Sequence, residues 1–329
     1  MSKQYTNDKD VPLLFIAWLM NDEYDYSAKE KYISATSLMR PVKETILSQR
    51  VDPDLIQVID IAQLAPSVLG NAIHDTVERV WRDDRLRTKA LLRFGYSEED
   101  IKHILINPTA KEIQENPEHI TLYFEQRKEK KVRGYTIGGK FDAILSGVLH
   151  DIKSTSAYAW ANDSRAEDYI LQGSIYRWLN PELVTEDFIR ICYFFTDWSK
   201  AGTSNPDYPD ARVKYRDYPL MSIADTEAWI SNRIKQIHEL RDADESLIPN
   251  CTDEEVWLAK QTFRYFSDPA KVEGRATRVF STHEEAMEHW TKAGKGIVIS
   301  PIPVANKCRD YCNAYTVCTQ KDSYALKED

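Results

Sequence analysis

Two acidic residues, Asp142 and Asp151, stand on either side of Ser146-Gly147, a residue pair typical of two-residue hairpin turns. If this pair forms the turn, residues at equal distances from it face each other, and Asp142 faces Asp151 across the hairpin. Side chains alternate along a strand, so Lys153 lies on the same face as Asp151. The sequence therefore predicts two opposed carboxylates with a lysine beside them.

This grouping indicates metal-dependent hydrolysis of phosphodiester bonds. Two opposed carboxylates repel each other and would weaken a purely structural sheet. Mg²⁺ (or Mn²⁺) removes the repulsion, because such an ion takes one or two carboxylates and keeps waters and substrate phosphate as its other ligands. Lys153 would orient the attacking water or stabilise charge in the transition state, and Gly138-Gly139 would let a DNA backbone come close. The alternative is an exposed hairpin with a chance cluster of charges.

Three motifs resemble those of a known family. Asp142-x8-Asp151-Ile152-Lys153 resembles the metal-binding core of the PD-(D/E)XK nuclease superfamily, with Phe141 in place of a proline that is widely lost there. Gly70-x3-His74-x3-Glu78 and Gln172-x3-Tyr176 resemble the upstream and downstream motifs of its RecB-type branch. Residues four apart share one helix face, so each pair projects to one side. On residue type alone, His74 is equally a buried structural histidine, and Gln172 and Tyr176 are an ordinary surface pair.

The resemblance implies a fold and a set of roles. The fold would be α/β: a restriction-endonuclease-like core with a central mixed β-sheet flanked by helices and the acidic hairpin at its middle. The metal ligands would be His74, Asp142, Asp151 and the main-chain carbonyl of Ile152. Lys153 would assist the nucleophile or the transition state. Gln172 and Tyr176 would complete the catalytic set by supporting the site and the DNA strand.

The cysteines indicate a second metal site. Of the five, Cys308, Cys312 and Cys318 lie in the pattern C-x3-C-x5-C near the end of the chain, and clustered cysteines in a cytoplasmic protein favour metal over disulfides. Cys251 lies in a polar stretch and would be the fourth ligand. Cys192 lies in an apolar run and is expected to pack in the core.

The RecB-type resemblance extends to these cysteines. AddB-like and CRISPR-adaptation nucleases are similar in carrying a [4Fe-4S] cluster on late cysteines, and phage and prophage relatives show an element that the segment 251–257 resembles. Those nucleases usually take a first cysteine from upstream of the core, and this chain has none there. We expect Cys251, Cys308, Cys312 and Cys318 to hold a [4Fe-4S] cluster, with structural Zn²⁺ or free thiols as alternatives.

Periodicity predicts the elements that position these residues. Apolar residues at helical spacing predict helices over about residues 66–90, 95–107, 224–240 and 282–293. β-Forming residues predict strands over about 121–124, 135–145, 148–153 and 188–196. Ser164-x-x-Glu167 is a capping box for a helix reaching Leu179. We expect an N-terminal extension (1–33), a nuclease core (34–245) and a Cys-rich iron–sulfur region packed on it (246–329).

Composition limits the class of protein. The chain has 329 residues, 42% hydrophobic and 29% charged, which is typical of a globular protein. No apolar run approaches the ~18 residues of a membrane span, so we expect no membrane partner, no secretory signal and a cytoplasmic location (host cytoplasm if phage-encoded). The net charge of −9 argues against simple DNA coating. The basic segments 79–93 and 127–133 would track phosphates or form solvated helix faces.

These patterns together predict a metal-dependent DNA exonuclease, RecB-like and encoded by a phage or prophage, acting in recombination, replication or DNA degradation. Its substrate would be DNA, and its candidate partners are a recombinase, an annealing protein or a helicase. One alternative is a structure-specific or sequence-specific endonuclease with the same core. Another is a non-catalytic, metal-stabilised DNA-binding adaptor. Polarity of cutting and oligomeric state are left open.

Overall fold

The computed structural model describes residues 2–21, 29–115 and 118–325, which form a mixed α/β protein. The strands are β1 (Ser2–Thr6), β2 (Tyr32–Ser34), β3 (Ile56–Asp60), β4 (Ile104–Ile106), β5 (Ile120–Phe124), β6 (Arg127–Val132), β7 (Tyr135–Lys140), β8 (Ala143–Leu145), β9 (Val148–Thr155), β10 (Phe188–Phe195), β11 (Val213–Pro219), β12 (Phe263–Phe266), β13 (Arg278–Phe280) and β14 (Ile297–Ile299).

The α-helices are α1 (Leu13–Leu19), α2 (Ala35–Leu38), α3 (Val42–Leu47), α4 (Ala65–Arg82), α5 (Asp84–Phe94), α6 (Glu98–Lys102), α7 (Ala110–Glu115), α8 (Ala157–Asn162), α9 (Ala166–Leu179), α10 (Ile223–Leu240), α11 (His283–Ala293) and α12 (Asn306–Tyr311). Within the described ranges, no helix has the length and apolar character that a membrane span requires.

The chain forms two compact units. The first contains Met1–Met39 and Ile56–Lys235, and the second contains Arg40–Leu55 and Gln236–Asp329. The sequence-based boundary near residue 245 therefore lies ten residues after the structural one at Lys235, which falls within α10. The early segment 40–55 also belongs to the second unit instead of the expected nuclease core.

Hydrophobic packing explains why the early segment joins the second unit. Val42, Ile46 and Leu47 on α3 are buried in one apolar cluster with Ile248 and Ala314. Burial of such side chains contributes roughly 1.5–3 kcal/mol each. Sequence periodicity reports that α3 has an apolar face but does not say which distant segment covers it.

A mixed six-stranded sheet forms the centre of the first unit, in the order β11-β10-β9-β8-β5-β4. The pairs β9–β10 and β4–β5 are parallel, and the other neighbours are antiparallel. The hairpin β8–β9 occupies its middle, as expected. A second sheet in this unit has the order β2-β7-β6, and β1 pairs in parallel with β3. The expected N-terminal extension thus contributes strands to the unit.

The predicted helix over 66–90 is two helices, because the chain bends at Asp83. Asp83 has an extended conformation (φ −81°, ψ 106°), and its carboxylate accepts a hydrogen bond from the Leu86 amide as the N-cap of α5. An aspartate at an N-cap satisfies amides that otherwise lack partners. The apolar periodicity continues through the bend, so only the capping residue signals it.

Three other local expectations change. The segment 95–107 begins a helix with the Ser97 capping box but ends as β4. α9 ends at Leu179 as predicted, yet its N-cap is Arg165, and no side-chain cap forms there. The basic segment 127–133 is strand β6 and not a helix face. The helices predicted over 224–240 and 282–293 are confirmed as α10 and α11.

Candidate metal centre and cysteine pocket

The hairpin that carries the two aspartates has the predicted register. Ser146 and Gly147 form the turn with positive φ angles of 45° and 84°, as tight hairpin turns require. The ladder ends at the pair Ala143–His150. Asp142 lies one residue beyond that pair, so it is not a regular ladder partner of Asp151.

The Asp142 carboxylate is held by a backbone amide and a histidine. Its Oδ2 accepts a hydrogen bond from the Ile152 amide at 2.8 Å and lies 3.4 Å from His74 Nδ1. Burial opposes ionisation of Asp142, but His74, Lys153 and the Ile152 amide outweigh it and lower the pKa. Burial likewise opposes the charged form of His74, yet Asp142 and Asp151 raise its pKa. Both groups therefore favour their charged forms.

Asp151 is the most deeply buried acid of the group, with 2% of its surface exposed. Its Oδ2 forms an ion pair with Lys153 Nζ at 2.6 Å and has no other partner among the described residues. Burial and the neighbouring Asp142 charge raise the pKa of Asp151 to about 6, against the opposing charge of Lys153. Ionisation of Asp151 is therefore less favourable than in water, even with the Lys153 ammonium beside it.

Helix α4 brings His74 against β9. His74 Nε2 donates a hydrogen bond to the carbonyl oxygen of Ile152 at 2.9 Å, since a carbonyl oxygen can only accept. A Cβ at Gly70, one turn earlier, would lie 3.1 Å from Ser154 Oγ. The glycine of the upstream motif thus allows close approach of helix and strand.

Glu125, at the end of β5, is a member of the group that the sequence did not reveal. Its carboxylate, one His74 nitrogen and an Asp142 oxygen all lie within 4.8 Å of one another. Burial raises the pKa of Glu125, as do Asp142 and Glu78, while its ion-pair partner Lys140 opposes the shift. A single glutamate after an apolar strand is too common a pattern to identify a site from sequence. Only the folded structure shows that Glu125 lies beside His74 and Asp142.

Tyr169 is a second neighbour that the sequence did not reveal. It is buried on α9, one turn before Gln172. Its hydroxyl interacts electrostatically with the Lys153 ammonium and with the Asp151 carboxylate. The tyrosine therefore belongs to the surroundings of the acidic group, and its spacing from Gln172 on the same helix was the available signal.

Gln172 and Tyr176 are both buried on α9, where Gln172 Nε2 donates to Tyr176 Oη at 3.4 Å. The ring of Tyr176 also covers a neighbouring glycine, because a Cβ at Gly139 would lie 2.8 Å from its Cε1. A Cβ at Gly138 would clash with Tyr32. The prediction that the two glycines admit a DNA backbone is wrong, since protein side chains pack against both.

These residues fit a divalent cation. The ligand types are carboxylate oxygen, carbonyl oxygen and histidine nitrogen, and oxygen ligands are those that Mg²⁺ prefers. Asp151 is buried beside the Lys153 ammonium, and a divalent ion would reduce the remaining repulsion between the Asp151 and Asp142 carboxylates. In the described part of the chain, however, the ligand atoms that lie together within 4.8 Å belong to His74, Asp142 and Glu125, and Asp151 is not among them.

Several cations of the two basic segments have partners in the protein. Arg82 forms an ion pair with Glu78 at 2.7 Å, and Arg87 forms one with Asp84 at 2.6 Å. On β6, Lys130 lies over the Trp178 ring at 4.8 Å. In each basic segment, some of the positive charges are therefore paired with other side chains of the protein.

A pocket in the second unit brings together the four cysteines expected to share a site: Cys251, Cys308, Cys312 and Cys318. All four are free thiols. Burial and nearby charges raise the pKa of Cys251 to about 12 and that of Cys312 to about 11. Thiols with such pKa values stay protonated near neutral pH unless a metal displaces the proton.

The spacing of the thiols is wider than one zinc ion needs. In the part of the chain that the structure describes, no three cysteine sulfurs lie within 4.8 Å of one another. Thiolates around one Zn²⁺ with bonds of about 2.3 Å would lie about 3.8 Å apart. The fifth cysteine, Cys192, lies on β10 in the first unit and is half-buried, so it is not a core residue.

Comparison with known proteins gives little further information. No protein-family model matches the chain, and no curated protein matches it. One similar solved structure is titled "Crystal structure of SSO0001". It is 17% identical, the alignment covers 70% of this chain and 85% of that one, and the TM-score is 0.36. A similarity at this level does not establish a shared fold.

Proposed function

We propose that this protein is a metal-dependent nuclease that hydrolyses phosphodiester bonds in DNA. The observation that carries the proposal is the buried carboxylate of Asp151, which lies beside Lys153 and next to the Asp142 carboxylate. Asp142, His74 and the Ile152 carbonyl complete an oxygen-rich ligand set. The resemblance of these motifs to the RecB-type PD-(D/E)XK nucleases supports DNA as the substrate and an exonuclease as the first candidate.

The protein would contribute ligands, orientation and charge to the reaction. A bound Mg²⁺ would supply Lewis-acid stabilisation and lower the pKa of a coordinated water. Asp142 and Asp151 would hold the ion, and the Ile152 amide would fix the orientation of the Asp142 carboxylate. His74 would hold the ion through a nitrogen of the neutral imidazole, so binding of the ion would displace the proton that the raised pKa of His74 favours in the metal-free protein.

Lys153 would act as a cationic donor and not as a base. Burial opposes its charged form, but Asp151 and Asp142 outweigh burial and raise its pKa. A lysine held protonated can donate hydrogen bonds to an attacking water or to a phosphate oxygen. It cannot at the same time remove a proton from that water.

The substitution Asp151→Asn tests the proposal. It keeps the shape of the side chain and removes the charge, so Mg²⁺-dependent cleavage of end-labelled duplexes should fall at least about 100-fold, given that a ligand and its charge are lost. Asp168→Asn is the matched control, because Asp168 is an exposed aspartate on α9 that pairs with Arg165. Undiminished cleavage by folded Asp151→Asn would refute the proposed site.

DNA topology separates the two enzymatic candidates. An exonuclease needs an end and would degrade linear DNA while leaving covalently closed circles intact. An endonuclease would nick or linearise the circles. Absence of Mg²⁺-dependent cleavage on every DNA, with binding retained, would instead support the adaptor role.

We further propose that the cysteine pocket holds a [4Fe-4S] cluster, with structural Zn²⁺ as the alternative. The four thiols line one pocket, and the resemblance of their segments to those of iron–sulfur nucleases supports the cluster. Iron, sulfide and zinc analysis of anaerobically purified protein distinguishes the two. Cys308→Ser should lower the metal content, whereas Cys192→Ser should not.

A further inference from the structure

Helix α3 places two consecutive charged residues in the interior of the second unit. Lys43 and Glu44 are each only 4% exposed, and both line the cysteine pocket. Lysine and glutamate are almost never buried to this extent unless they are paired. Their partners therefore show what these two charges do.

Lys43 connects the neighbours of two cysteines. Its Nζ donates a hydrogen bond to Asn250 Oδ1 at 2.8 Å and lies 3.2 Å from Glu245 Oε1. The same Glu245 oxygen accepts hydrogen bonds from the amide and the hydroxyl of Thr319, each at 2.9 Å. Asn250 directly precedes Cys251 and Thr319 directly follows Cys318, so one lysine links both segments.

Glu44 connects the neighbour of a third cysteine. Its Oε2 lies 2.8 Å from Lys307 Nζ, and Lys307 directly precedes Cys308. Gln320, two residues after Cys318, is also buried. Its side chain forms two hydrogen bonds with the backbone of Cys251, at 2.8 and 2.9 Å. Three of the four cysteine segments are thus bonded to α3 or to each other.

These contacts hold the segments before any metal binds. A buried charge that loses its partner costs far more than a surface ion pair gains. The pairs made by Lys43 and Glu44 are therefore retained with or without a ligand in the pocket. Ligands held in place by such outer contacts bind metal more tightly, because less order has to be imposed on binding.

We propose that Lys43 and Glu44 are positioning residues that set the separation of Cys251, Cys308 and Cys318 and thereby control how firmly the pocket retains its metal. The inference rests on the proposed cysteine site and does not depend on the nuclease chemistry. It gives α3 a function in the second unit, where Lys43 contacts Asn250, a residue 207 positions later in the sequence.

The rate of metal release tests this role. Lys43→Met keeps the length of the side chain and removes its charge and its hydrogen bonds. Metal-containing Lys43→Met should release iron (or zinc) to a chelator about 10- to 100-fold faster than wild type, the range for loss of outer contacts at metal sites. Glu44→Gln should also accelerate release.

The matched control is Lys321→Met. Lys321 also lines the pocket, but its ammonium lies over the Tyr315 ring at 5.2 Å instead of bridging cysteine segments. Release from this variant should match wild type. A merely structural role of Lys43 would lower the unfolding midpoint of the variant without changing release from the folded protein, so circular dichroism is recorded alongside.

Each outcome bears on the inference. Unchanged release from folded Lys43→Met would overturn the positioning role and leave the cysteine site standing. Wild-type protein without bound iron or zinc would overturn both. Should Lys43→Met fail to fold, Thr319→Val removes one hydrogen bond at the exposed end of the same bridge and should accelerate release about fivefold, the effect of one such bond.

Discussion

Burial and charge repulsion act together on the Asp151 carboxylate, and this makes its titration measurable. Its pKa rises from 3.8 to about 6 in the folded protein. In metal-free protein, ionised Asp151 is then less favourable in the folded state than in the unfolded one. The free energy of unfolding therefore falls as the pH rises from about 4 to about 6 and stays lower above that range.

Asp151→Asn removes this titration but also leaves the buried Lys153 ammonium without its ion-pair partner. The pH dependence isolates the titration: between pH 4 and pH 8, the free energy of unfolding of the wild type should fall by about 2–3 kcal/mol relative to that of the variant, since one pKa unit corresponds to about 1.4 kcal/mol. Urea unfolding with EDTA at both pH values measures the effect. An equal difference between variant and wild type at the two pH values would contradict it. Added Mg²⁺ should stabilise only the wild type, because the variant lacks the charged ligand.

Glu125 provides a second prediction at the level of residues. Its carboxylate lies within the group formed with His74 and Asp142, so Glu125→Gln should raise the Mg²⁺ concentration for half-maximal cleavage about 10-fold. Glu129→Gln is the control, because the Glu129 carboxylate, which lies on β6, pairs with Lys29 instead. An unaltered Mg²⁺ requirement in Glu125→Gln would show that this carboxylate does not contribute to metal binding.

At the scale of elements, the β8–β9 hairpin sets the positions of the acids, and its turn depends on Gly147. Gly147 has a positive φ of 84°, which is strained for a residue with a Cβ. A Cβ at this position would also clash with the Thr185 side chain. Gly134 has a similar φ of 81° but nothing within 4 Å of such a Cβ. The two glycines therefore separate backbone strain from steric clash.

Gly134→Ala should destabilise the protein by about 1–2 kcal/mol, the cost of a left-handed conformation for a residue with a Cβ. Gly147→Ala should cost about 1–3 kcal/mol more because it also displaces Thr185. Thermal or urea unfolding of the two variants provides the comparison. Equal losses would mean that the turn accommodates the added methyl group.

Elements were predictable where local signals agree. The hairpin has a turn pair, alternating side chains and β-branched residues, so its register followed from sequence alone. The helix over 66–90 lacked such agreement, because its apolar spacing continues across the bend while Asp83 caps a new helix. Local chemistry at a single residue decided that boundary.

At the scale of the whole molecule, the two compact units carry two different candidate metal sites. The acidic group lies in the first unit, and the cysteine pocket lies in the second. Ligands that bind only the folded state stabilise the unit that binds them, by about 2.7 kcal/mol at a concentration 100 times the Kd. The two sites should therefore be separable by their effects on unfolding.

We expect Mg²⁺ to raise the unfolding temperature of the first unit and removal of the cysteine-bound metal to lower that of the second. Differential scanning calorimetry with Mg²⁺, with EDTA and after metal stripping would resolve these effects as separate shifts, since multi-unit proteins need not unfold in one step. Asp151→Asn should abolish only the first shift, and Cys308→Ser only the second. A single transition that responds equally to both treatments would contradict independent sites.

The sequence by itself determined the local geometry of the candidate site. The turn at Ser146-Gly147 and the alternation along β9 are short-range properties, so the side on which Asp151 and Lys153 lie follows from spacing alone. The three late cysteines and Cys251 were likewise grouped by residue type. All four line one pocket, and a metal shared by them stays a prediction.

Only the tertiary structure decided which distant residues join each group. Glu125 approaches His74 and Asp142 because β5 pairs with β8, and Lys43 reaches the cysteine pocket because the apolar face of α3 packs in the second unit. Long-range contacts depend on which apolar surfaces cover each other, and local periodicity carries no information about the partner. For the same reason, the glycines expected to face DNA proved to be covered by Tyr32 and Tyr176.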